Sequence, residues 1–206
     1  ALRDAHVVEE DLALGQRADL AVELAEANGW FLARQFETAD NMTDAMAALS
    51  ALANTDCAER APALEKFYAT WKNEALVLDK WFALQAGATD RNGDVLPVVR
   101  QLLLHPDFNL RNPNRARSVI FSYCSANPCA FHRPDAAGYV FSSDAVREVD
   151  GINSQLSSRM ARVMDRWNHL AEPYRSAARE AIARVAAKQD LSAGVREIVE
   201  HALALG

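Results

Sequence analysis

The sequence predicts an all-α fold in which antiparallel helix pairs stack, either as a bundle or as an α-α superhelix that is HEAT-like. Three observations predict it. Apolar residues recur at the helical period rather than the strand period almost throughout the chain. Gly (8) and Pro (7) are scarce among 206 residues, while Ala, the strongest helix former, is abundant. Helix-start signals are separated by short polar loops, the spacing of antiparallel neighbours.

The elements follow in order. Leu2, Val7, Val8, Leu12 and Leu14 already stand at helical intervals, so the start reads as a cut made inside a longer chain. Glu9-Glu10-Asp11 reads as a solvated helix face. Leu64, Phe67, Tyr68 and Trp71 form one i, i+3, i+4, i+7 stripe, and Val77, Leu78, Trp81 and Phe82 begin the next. Asp56-Cys57-Ala58-Glu59 has the form of a capping box. Asn92-Gly93 marks a turn, after which Asp94 is expected to cap a helix through Leu104. Asn112-Pro113 and Asn127-Pro128 each place a capping Asn before a Pro at the first helical position, where its missing N–H costs nothing. Further helices are expected from Gly138 to Val149, Gln155 to Leu170, Pro173 to Ala187 and Ser192 to Leu205. No Gly/Ser-rich, Pro-rich or single-charge stretch divides the chain, so residues 1–206 read as a single helical domain, a fragment of a longer chain.

Composition excludes several function classes. The net charge is −6, from 28 acids against 22 bases, and a phosphate-binding surface needs a basic excess, so no nucleic-acid partner is expected. No apolar run approaches the roughly 20 residues of a membrane span, so no membrane partner is expected either. Three cysteines, an odd number, fit a reducing, cytoplasmic setting better than a disulfide framework. With 50% hydrophobic residues a chain of this size builds a core without metal or disulfides.

Catalytic motifs are absent from the sequence. The histidines form no H-E-x-x-H, the spacing that sets two imidazoles on one helical face around zinc. Cys124, Cys129 and His132 are the one Cys/His cluster, and with His105 they would make four zinc ligands; buried apolar cysteines are the simpler reading. The arginines are more informative. Arg111, Arg115 and Arg117 crowd the Asn112-Pro113 helix start, and Arg159, Arg162 and Arg166 share a later helix. A guanidinium in a groove holds a carboxylate through two parallel hydrogen bonds; on a surface it pairs with a nearby acid.

Five segments carry a resemblance. They are Asn41 to Ser50 (NMTDAMAALS), Leu78 to Gln85 (LDKWFALQ), Asn112 to Ser118 (NPNRARS), Asn127 to His132 (NPCAFH) and Gly138-Tyr139. In this order and spacing they resemble the C-terminal helical domain of bacterial aminopeptidase N, of the gluzincin zinc aminopeptidase family. The likeness runs from about Phe31 onward and weakens after Trp167. It implies an α-superhelix that closes over the active site of a peptidase whose upstream catalytic domain holds zinc, H-E-x-x-H and a Gly-Ala-Met-Glu-Asn loop. None of these is in the present sequence, so the resemblance implies no catalytic residue and no metal ligand here. Instead it implies a chamber wall, inactive alone, whose partners are the catalytic domain of the same polypeptide and peptide substrates. Two cavity-facing arginines of that family align with Arg117, in Asn-Pro-Asn-Arg-Ala-Arg, and Arg159, in Ser-Ser-Arg, and imply contact with the substrate's carboxyl end. The alternative is a free-standing helical-repeat scaffold for a partner protein. An H-E-x-x-H encoded upstream of Ala1 would decide between them.

Overall fold

Residues 26–205 are described by a computed structural model. The regularities at Leu2 to Leu14 and the acidic Glu9 to Asp11 lie outside the described residues. Among those described there is helix and turn but no strand, as the periodicity predicts. The chain divides into two compact units, one ending at Lys72 and one beginning at Asn73.

The first unit is built from α1 (26–38), α2 (Met42–Ala53) and α3 (Arg60–Trp71). Asn41 caps α2, its Oδ1 accepting from the Asp44 N–H at 3.0 Å. Leu49, Leu52 and Phe67 are sealed from solvent, and Phe67 meets Phe36 of α1 with ring centroids 6.3 Å apart. The capping box at Asp56 does not form. Helix α3 starts at Arg60, directly after Glu59, with no side-chain cap, and the exposed Asp56 carboxylate lies 4.0 Å from the Arg60 guanidinium.

The second unit opens with α4 (Ala75–Ala86) and α5 (Val95–Leu103), antiparallel across the Asn92-Gly93 turn. Both turn residues take positive φ (57° and 84°), which Asn and Gly tolerate best. The expected cap at Asp94 is displaced. Asp90 accepts from the Gly93 and Val95 N–H groups, while Asp94 accepts from the Arg91 N–H and so folds the turn itself. Helix α6 (Pro113–Ala116), a wider turn over Arg117–Phe121 and α7 (Ser122–Ala126) form one continuous helical run. In the wide turn the Ser122 N–H donates to the Arg117 carbonyl five residues back, a π-type bond. The predicted Asn-Pro starts are both realised. Asn112 Oδ1 accepts from the N–H groups of Asn114 and Arg115, and Asn127 Oδ1 accepts from Ala130 at the start of α8 (Pro128–Phe131).

Four further helices complete this unit: α9 (Ala137–Asp150), α10 (Ser154–Ala161), α11 (Tyr174–Ala186) and α12 (Ala193–Ala204). Helix α9 packs on α10 and α11, and α12 closes against both. The expected helix from Gln155 to Leu170 stops early. It gives way after Ala161 to single 3₁₀ turns at Arg162–Met164 and Trp167–His169. The cause lies at Trp167, whose buried indole N–H donates to the Ala202 carbonyl at 2.9 Å and ties the segment to the end of α12. Gly138 is obligatory at the start of α9, because a β-carbon there would run into the Phe131 carbonyl.

Candidate functional site

The arginines near the Asn112-Pro113 start part company. Arg115 is 5% exposed. Its Nε donates to Asp79 Oδ1 at 2.5 Å, its Nη1 donates to the Asp107 carbonyl, and its guanidinium lies 4.8 Å from the centre of the Phe82 ring. It is a satisfied internal clamp between α4 and α6. Arg117, two residues on, is exposed and among the described residues bonds only within its own turn, to Asn114 Oδ1 and the Pro113 carbonyl. Residues two apart on a helix point about 200° away from each other, so one arginine was bound to sink if the other faced outward. Arg111 is exposed in the preceding loop.

The second arginine group is split by the early end of α10. Arg159 and Arg162 line a cleft of about 310 Å³, whereas Arg166 lines a separate pocket of about 130 Å³ together with His132, Tyr139 and Trp167. Arg162 is paired, Nη1 to Asp165 Oδ2 at 3.5 Å. Arg159 is exposed and makes no hydrogen bond or ion pair among the described residues. The facing wall of the larger cleft is one stripe of α12, Gly194, Glu197, Ile198 and His201, at the i, i+3, i+4, i+7 spacing of a single helix face. Gly194 lets α12 approach closely, for a β-carbon there would lie 3.0 Å from Ser158 Oγ. Arg117 and Arg159 therefore stand on different helical runs, each open to solvent. The Glu197 and His201 side of the cleft was not singled out in the sequence; the i, i+4 spacing on the last helix was the available signal.

The Cys/His cluster is not a metal centre. Cys124 is buried, and burial pushes its thiol up to about 12, so it stays protonated; Cys129 is exposed. The His132 Nδ1 shares a hydrogen bond with Tyr139 Oη at 2.8 Å, and burial lowers the imidazole's affinity for a proton. His105 is packed edge to face on Phe82 in the α4 to α5 core. Among the described residues no three His, Cys, Asp or Glu side chains converge as metal ligands, so these residues do not fit zinc and no chemical step is derived through it. Among the same residues no helix is long and apolar enough to cross a membrane.

Comparison with known proteins places this architecture. A family model described as a domain of unknown function (DUF3458_C) with ARM repeats matches residues 13–204. The chain belongs to this ARM-repeat family. Its repeats are the stacked helix pairs, the HEAT-like superhelix class, that the periodicity predicts. The chain is 37% identical over 168 residues to aminopeptidase N of Caulobacter vibrioides, covering 82% of this chain and 19% of that protein. It is 34% identical to aminopeptidase N of Haemophilus influenzae, covering 98% and 23%, and 36% identical to that of Escherichia coli, covering 84% and 20%. Among solved structures, Legionella pneumophila aminopeptidase A in complex with aspartic acid superposes with a TM-score of 0.80 at 30% identity, over 86% of this chain and 21% of that one. The chain thus spans about a fifth of the length of its relatives. The resemblance read from Asn41 to Tyr139 is borne out, and the chain is homologous to the C-terminal part of aminopeptidases.

Proposed function

We propose that residues 1–206 act as one C-terminal helical domain of a cytoplasmic zinc aminopeptidase that removes N-terminal residues from peptides. The domain walls the catalytic chamber and is inactive alone. The observation that supports this most is the pairing of two facts: similarity to aminopeptidases along nearly the whole chain, and a sequence with no H-E-x-x-H. Zinc and the proton-transfer groups then belong to the preceding catalytic domain of the same polypeptide, and peptides are the substrates.

Within that role, Arg117 and Arg159 help to receive the substrate's carboxyl end. Both are exposed, and neither spends its charge on an acidic partner among the described residues. A charged guanidinium offering its planar fork to solvent is suited to a carboxylate. The three cysteines are free thiols, in keeping with a reducing compartment.

The test is an assay of the pure chain against an aminoacyl anilide. No hydrolysis and no stoichiometric zinc are expected from it, with both present in the full-length polypeptide. Hydrolysis by the 206-residue chain that a chelator abolishes would overturn the proposal.

A further inference from the structure

The cleft beside Arg159 carries two unspent charges of opposite sign. On the α10 side the Arg162 guanidinium is occupied by Asp165, which leaves Arg159 as the available cation. On the α12 side Arg196 is occupied by Glu200 at 3.7 Å and neither lines the cleft, while Glu197 lines it and makes no ion pair among the described residues. Ile198 lies beside Glu197 on the same wall and gives the cleft apolar surface next to its acid. A cation, an apolar strip and an anion arranged across about 310 Å³ complement a ligand that carries a carboxylate, an aliphatic stem and a terminal cation. A peptide ending in Lys or Arg has that sequence of groups.

We infer that Glu197 is a specificity-determining residue, and that the cleft favours peptides whose C-terminal residue is basic. The inference rests on the reading of Arg159 as the carboxylate's partner. The terminal carboxylate docks on Arg159, the methylene stem lies along Ile198, and the side-chain cation meets Glu197. Each group then replaces water with a partner already positioned by α10 or α12, and neither arginine nor glutamate must break an existing ion pair to bind.

Calorimetric titration of the full-length polypeptide tests this. The probes are acetyl-Ala-Ala-Lys, acetyl-Ala-Ala-norleucine and the C-terminal amides of both; acetylation blocks removal of the first residue. The lysine acid is expected to bind about three- to fivefold more tightly than the norleucine acid, the range for a partly exposed ion pair. Glu197→Gln should bring that ratio to about one. Amidation should weaken both peptides about tenfold or more, and Arg159→Ala should remove the difference between acid and amide. Equal affinity for the lysine and norleucine acids, or a lysine preference that survives Glu197→Gln, overturns the role of Glu197 while the carboxylate reading stands. Indifference to amidation, or no binding of either acid, overturns both.

Discussion

Arg115 and Asp79 form an ion pair, Nε to Oδ1 at 2.5 Å, with side chains only 6% and 14% exposed. The guanidinium is further held by the Asp107 carbonyl and the Phe82 ring. A buried pair of this kind is weak evidence of net stabilisation, but removing one partner strands the other charge away from water. Asp79→Ala is therefore expected to lower stability by about 3–5 kcal/mol. Arg115→Lys should also destabilise, because a single ammonium cannot serve the carboxylate, the carbonyl and the ring at once. Thermal unfolding of both variants checks this. The exposed pair Arg175 to Glu172, with side chains about half exposed, is the control, and Arg175→Ala should leave the unfolding temperature nearly unchanged.

Glycine substitutions should separate by what surrounds each residue. Gly138→Ala forces a methyl group into the Phe131 carbonyl, where only backbone can give way. A loss of about 1–3 kcal/mol or more is expected. Gly151→Ala meets nothing nearer than the Glu148 carbonyl at 3.7 Å, an ordinary contact, and should leave the unfolding midpoint nearly unchanged. Denaturant unfolding of the pair reads the difference directly.

His132 makes part of the stability depend on pH. Burial lowers its proton affinity in the folded chain, so the unfolded chain binds more protons as the pH falls through the imidazole's ordinary range. Its contribution is fully present above the unfolded pKa of about 6.5 and is lost as the pH drops below it towards the folded value. The melting temperature should fall on going from about pH 7 to about pH 5, and should fall less in His132→Asn, which has no proton to gain. Equal slopes for the two proteins would assign the dependence to other groups.

In the full-length polypeptide, Arg117→Ala should weaken short peptides with a free carboxylate more than aminoacyl anilides, which have none. Loss of one charge-assisted hydrogen bond corresponds to about 1.5–3 kcal/mol. The readout is the ratio of kcat/KM for the two substrate kinds. Equal losses on both would mean that the substitution disturbs the helix rather than the contact.

The sequence made the helical class and the Asn-Pro starts legible because each is a local signal: Asn112 and Asn127 need only the next three residues to act as caps. Asp56 and Asp94 looked equally suitable, yet one turned to Arg60 and the other to the Arg91 N–H within its turn. A carboxylate has several nearby donors, and tertiary geometry chooses among them. The early end of α10 was not legible, since it depends on Trp167 reaching Ala202, 35 residues away in sequence. The split between Arg115 and Arg117 could have been read from their spacing alone. The placing of Arg159 and Glu197 on one cleft could not, because it requires knowing that α10 and α12 are neighbours.

The five-residue bond between Ser122 and the Arg117 carbonyl gives the run from Pro113 to Ala126 one residue more than a regular helix of the same length would hold. Each residue of an α-helix advances about 100° around the axis, so that single extra residue turns everything after it by about the same angle. Seven regular residues advance about 700°, close to two full turns, so the offset returns Tyr123 and Cys124, eight residues on, to the buried side that holds Arg115 and Ala116. Deleting one residue from 117–121 would let the wide turn close into a regular helix of the same length and keep Tyr123 in place for its bond to the Ala130 carbonyl. A single-residue deletion is thus expected to be better tolerated here than elsewhere in the run, because the wide turn can give up its extra residue without changing the phase of the helix that follows.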